Sequence, residues 1–147
     1  MNDTLKDMGL SIFSPETKSK LDIPMAASDV AAGFPSPAAD YEDVKLDLNR
    51  ELIHNPASTF YARVSGLSMV DENIDDGDLL VVDKSIEPSD NCLAVCFLDG
   101  EFTLKRLQLT SDGALLIPAN KNFEPIVVTA DNEFQVWGVV TYIIKKM

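Results

Sequence analysis

The stretch 92-CLAVCFLDGEFTLKRLQL-109 decides the fold. Two apolar runs, 92–98 and 102–109, flank Asp99-Gly100, a dipeptide suited to the positive φ angles of a two-residue hairpin turn. Upstream, Phe60, Ala62 and Val64 alternate with Tyr61 and Arg63, the period of a half-buried strand, and 79–82 is a further apolar run. Downstream come 115–117, 126–129 and 134–144. Gly77-Asp78, Asp112-Gly113 and Pro118-Ala119-Asn120 supply turn chemistry between them. Short strands with dense turns predict a mostly β domain, barrel-like or sandwich-like. One short helix, 48–54, is predicted behind an Asp47 N-cap and stopped by Asn55-Pro56. No internal repeat is visible.

The first 32 residues differ. They carry five acids and three bases, scattered Ser, Thr and Pro, and no sustained period, so they read as a mobile arm ahead of a domain over 33–147. Extended, such an arm reaches on the order of 100 Å. Gly33-Phe34-Pro35-Ser36-Pro37 follows, where two prolines favour an extended path.

The whole chain has 147 residues, 46% of them hydrophobic, which suits one domain with its own core. No apolar run is long enough for a bilayer and no secretory signal opens the chain, so a soluble cytoplasmic protein is expected. Twenty-four acids against 12 bases give a net charge of −12, which argues against strong direct binding of nucleic acid.

Several chemistries are weak. The acidic run 71–78 does not fit a calcium loop: from Asp71 the glycine falls at position seven and position twelve is Val82. Cys92 and Cys96 share a strand face about 13 Å apart on a straight strand, too far to bridge, and read as buried reduced thiols. His54 is the single histidine, which removes a multi-His metal site and disfavours a His-based triad. No glycine-rich phosphate loop is present, so neither cofactor nor metal is expected.

Ser68, in Ser65-Gly66-Leu67-Ser68-Met69, sits where a strand gives way to an acidic turn, a place for an exposed hydroxyl beside converging backbone N–H groups. Without histidine such a serine needs another base. Lysine serves when neutral, and burial among apolar groups favours its neutral form. Lys105 is the candidate, sharing a strand face with Thr103, Leu107 and Leu109. An ordinary lysine on a half-exposed strand is the competing reading.

Three segments together resemble the UmuD proteins, within the LexA-like family of self-cleaving Ser-Lys proteases. They are 31-AAGFPSPAADY-41, 64-VSGLSM-69 continued by 74-IDDGDLLVVD-83, and 99-DGEFTLKRL-107. The 37-residue spacing from Ser68 to Lys105 matches as well, and the resemblance covers the chain from about Ala31 onward. It implies a compact, mostly antiparallel β domain with a mobile N-terminal arm and a homodimer. Ser68 then resembles the nucleophile and Lys105 the general base, with the backbone amides of Leu67 and Ser68 as oxyanion hole and Ala32-Gly33 as scissile bond. The implied biology is RecA-stimulated self-cleavage in the SOS response, after which 33–147 joins a UmuC-type translesion polymerase. The competing class is a non-proteolytic β-rich interaction module. A helix-turn-helix repressor is disfavoured, because 32 aperiodic residues with Pro15 and Pro24 cannot supply the DNA-binding domain.

Overall fold

The computed structural model describes residues 9–18, 22–24, 45–66, 72–118, 122 and 124–147. These form two compact units. The smaller holds strands β2 (Asp22–Pro24) and β3 (Lys45–Asp47), paired antiparallel, and helix α1 (Leu48–Leu52). Asp47 caps α1 as predicted, its side chain accepting from the Asn49 N–H at 3.0 Å. The helix stops two residues sooner than the sequence suggested, and His54 Nε2 lies 3.1 Å from the carbonyl of Glu51 at its end.

The larger unit is one antiparallel sheet of eight strands: β1 (Gly9–Phe13), β4 (Thr59–Ser65), β5 (Leu79–Asp83), β6 (Leu93–Leu98), β7 (Glu101–Thr110), β8 (Gly113–Ile117), β9 (Ile126–Val128) and β10 (Phe134–Ile144). In the sheet they run β1-β4-β5-β10-β6-β7-β8-β9, so the last strand in sequence is inserted between β5 and β6. The fold is mostly antiparallel β, as expected.

Each face carries its own core. Ala62, Val64, Ile74, Leu80, Val82, Leu93, Val95 and Leu104 form one cluster. Ala94, Cys96, Leu107, Ala114, Leu116 and Val128 form the other. Leu10 and Ile12 of edge strand β1 pack on the same cluster as Leu104 of β7, although four strands lie between β1 and β7 in the ladder. The sheet therefore curls, bringing its edge over its own first face. The hairpin forms as read: Asp99 and Gly100 adopt φ of 47° and 92°, and Leu98 faces Glu101 across the turn. Asp99 also accepts from the Glu133 N–H at 2.9 Å and the Asn132 amide at 2.8 Å, docking the turn on the start of β10.

Three strands lie where none was predicted: β1 and β2, both within the first 32 residues, and β3 ahead of the helix. In β1 only Leu10 and Ile12 turn inward, with Ser11 and Phe13 exposed, and two inward residues are too few to announce a period.

Candidate active site

Lys105 stands in the middle of β7, opposite Ala94 of β6, with Thr103 opposite Cys96. Alternation places both on the face of the second cluster, with Leu107. The strand is buried on both faces from Thr103 to Lys105, and Lys105 is only 1% exposed. Lysines are rarely so buried, because removing an ammonium from water is costly. The half-exposed strand that would have made Lys105 ordinary is not what forms. Leu109 keeps the expected face, opposite Ala114 of β8, but is 47% exposed near the end of the strand.

Cys96 lies in the same layer. Burial first, and the neighbouring Cys92 second, push its thiol up to about 12, with Lys105 acting in the opposite direction. Both cysteines are free; Cys96 is buried and Cys92 half-buried, each in the second cluster.

The second component is the loop that leaves β4. Its neck is closed by Val64 N–H to Asp78 O (2.9 Å) and Gly77 N–H to Val64 O (2.8 Å). The Arg63 guanidinium donates to the Gly77 carbonyl at 3.0 Å, and the Gly66 N–H donates to the Asp76 carboxylate at 3.1 Å. Gly66 and Gly77 have φ of 102° and 91°, which side-chain-bearing residues rarely adopt. Beyond the neck, Ile74 is a fully buried plug in the first cluster. Lys145, just past β10, places its ammonium 2.6 Å from both Asp75 and Asp78, and Asp78 is itself 4% exposed. Hydrogen bonds from Lys145 to Asp75 first, then Asp78, hold the lysine's pKa above its ordinary value. Three of the carboxylates that suggested an ion loop thus serve the loop's own closure.

A third anchor holds the loop against β7. The Arg106 guanidinium binds Glu72 through Nε at 2.8 Å and through Nη2, and donates to the Asn91 carbonyl at 3.0 Å. A cleft of about 500 Å³ opens there, lined by Glu72, Asn91, Arg106, Ile117 and Pro118. Arg106 pairs with Leu93, so it lies on the first-cluster face and the cleft is across the sheet from Lys105.

Of the residues singled out from sequence, Lys105 is described, while Ala32, Gly33, Leu67 and Ser68 lie outside the described residues. Glu72, Arg106 and Lys145 were not anticipated. Their ion pairs join positions 34 to 70 residues apart, which no local pattern announces. Among the described residues no group of His, Cys, Asp or Glu could hold a metal ion, and no helix is long and apolar enough to cross a membrane.

Residues 24–141 match the Peptidase S24-like family, a span that includes the buried lysine and the anchored loop. The chain belongs to that family. It is 42% identical to Protein MucA of Salmonella typhimurium over 137 residues, covering 92% of this chain and 93% of MucA. Against Protein SamA of Salmonella typhimurium strain LT2 the identity is 45% over 123 residues, 84% and 85% of the two chains. LexA repressor 2 of Pseudomonas syringae pv. tomato is 35% identical over 140 residues, 94% of this chain and 68% of the repressor. The S24 assignment makes this a serine-type peptidase-family protein of the UmuD-like, SOS-associated kind, in agreement with the resemblance carried by the three sequence segments.

Proposed function

We propose that this S24 protein cuts its own chain between Ala32 and Gly33 with a Ser68–Lys105 dyad. The observation that carries the reading is Lys105 itself: a lysine 1% exposed, in the middle of a strand buried on both faces, at the position the resemblance gives to the base. A core gains no stability from burying an amine in place of leucine, so such a residue is retained for chemistry.

In the reaction, neutral Lys105 takes the proton of Ser68 Oγ as that oxygen attacks the Ala32 carbonyl carbon. Backbone N–H groups of Leu67 and Ser68 hold the oxyanion. Lys105 returns the proton to the Gly33 nitrogen as the C–N bond breaks, and water then hydrolyses the ester to free Ser68 and leave Ala32 as a carboxylate. Because substrate and nucleophile share one chain, proximity is intramolecular and control lies in positioning. In this reading a RecA filament promotes the cleavable arrangement. The product, 33–147, then acts as a homodimeric accessory subunit of a UmuC-type translesion polymerase in the cytoplasm. The net charge of −12 suits a protein that leaves DNA contact to its partners.

The test is intact-mass spectrometry of purified protein, incubated at alkaline pH, which favours the neutral form of any lysine, and separately with RecA, single-stranded DNA and a nucleotide. The expected result is a break between Ala32 and Gly33 that disappears in Ser68→Ala and Lys105→Ala. An intact chain under every condition would overturn the cleavage and leave a non-proteolytic interaction module.

A further inference from the structure

Strand β1 occupies the edge of the sheet. Five residue pairs, Gly9 with Ser65 through Phe13 with Tyr61, zip it antiparallel onto β4. Its inward side chains, Leu10 and Ile12, pack on the cluster that contains Ala62 and Val64 of β4 and Leu104 of β7. Its outward residues, Ser11 and Phe13, are exposed, Phe13 by 50%. The contact is that of a docked extended peptide: ladder hydrogen bonds along one edge, with apolar side chains at alternate positions filling the core beneath.

The position of β1 in the chain gives this contact a consequence. Every residue of β1 lies upstream of Ala32-Gly33. On the cleavage proposed above, on which this inference rests, β1 ceases to be covalently part of the domain. While tethered, a strand of this kind meets its edge at an effective concentration on the order of millimolar; once cut, it is diluted into solution. Five residue pairs and two half-buried side chains are too little to hold a free peptide at low protein concentration, since isolated strand pairs are marginal in water.

We infer that self-cleavage opens the β4 edge as a docking groove for an extended segment of a partner protein, and that β1 is the built-in occupant that blocks it in the intact chain. The partner segment is specified by what β1 presents: about five residues in strand conformation, antiparallel to β4, with aliphatic side chains at the second and fourth positions. Its backbone restores the ladder along 61–65, and its two aliphatic groups replace Leu10 and Ile12 over Ala62, Val64 and Leu104. An open edge over apolar core is also an aggregation hazard, so a cleaved domain without partner has reason to pair with whatever strand is offered. The intact chain is thereby inert toward the same partner.

The experiment separates this from the cleavage reading by cutting the chain independently. The full-length protein carries Ser68→Ala and a recognition sequence for an external protease in place of residues 29–35. It is cut, and the released arm is removed by size exclusion. Amide hydrogen exchange across β4 is followed before and after, and a synthetic peptide of residues 7–15 is then titrated in. Amides of 61–65 that face β1 are expected to exchange about tenfold faster or more after cutting, with those of β6 and β7 unchanged. The 7–15 peptide restores protection in the cut protein and binds the uncut protein far more weakly. A peptide with Leu10→Ser and Ile12→Ser does neither. Unchanged protection of 61–65 after the arm is removed, or equal binding of the peptide to cut and uncut protein, would overturn the inference. Failure of the natural chain to cut itself would instead count against the proposed cleavage alone.

Discussion

The β6–β7 hairpin and the loop between β4 and β5 meet at Arg106 but are built on different principles. The hairpin is positioned by burial: Val95 and Leu104 fill one core, Ala94, Cys96 and Leu107 the other, and Lys105 is carried in as one member of an alternating strand. Among its described residues the loop contributes one buried apolar plug, Ile74, and is otherwise fixed by polar contacts, including one ammonium shared by two aspartates and a guanidinium on Glu72. A scaffold held by area is insensitive to any one charge, whereas a loop held by charges responds to each of them. In a protein whose proposed chemistry must wait for a signal, the base sits on the first kind of structure, and the candidate nucleophile lies within the sequence span of the second.

Leu104→Ala would break the comparison from the hairpin side and carries the largest expected effect. Leu104 is fully buried, so truncation costs about 2–5 kcal/mol of global stability, read as a lowered denaturation midpoint in urea. A loss below about 1 kcal/mol would mean that the hairpin is not held by packing. Lys145→Met probes the loop. It leaves the buried Asp78 carboxylate beside Asp75 without its cation, so the Gly66 and Gly77 amides at the neck exchange about tenfold faster while those of β7 do not. The pH dependence has a definite sign. A lysine whose pKa is raised by folding stabilises the neck fully below its ordinary value and stops doing so as pH climbs through the raised one. Neck protection therefore persists through the neutral and mildly alkaline range; its loss near pH 7 would contradict the clamp. The smallest effect sharpens the picture of the layer around Lys105. With its thiol pushed up to about 12 by burial, Cys96 resists iodoacetamide in the native protein at pH 8, and Cys92 reacts first. Peptide mapping that found Cys96 modified first would show that this layer opens.

The hairpin was legible because its instructions are local. Asp99-Gly100 sets the turn, and period-two alternation assigns Thr103 and Leu107 to the face of Lys105. The Asp47 cap is equally local. Alternation could not say how far along β7 the cover extends, so it gave no sign that Leu109 is exposed, nor that Lys105 would be buried on a strand covered on both faces. β1 escaped because a strand five residues long with two inward side chains resembles chance. The anchors of the loop escaped for a different reason: Lys145 meets Asp78 across 67 residues, and a charge in a sequence carries no mark of its partner. As for the proposed dyad, local context nominated Lys105 as the base for Ser68 against an ordinary strand lysine, and the family resemblance, with its 37-residue spacing, decided between the two readings.

The order of the strands has a consequence for synthesis. β10, the central strand that joins β5 to β6, occupies residues 134–144 of 147, and the loop's cation follows it at Lys145. A growing chain can zip β4 to β5 and fold the β6–β7–β8 meander as separate pieces, but the two halves have no common strand until β10 has left the ribosome. Until then the loop after β4 and the lysine of β7 belong to different pieces, so the parts that the proposed self-cleavage requires are not brought together on a nascent chain before β10 arrives.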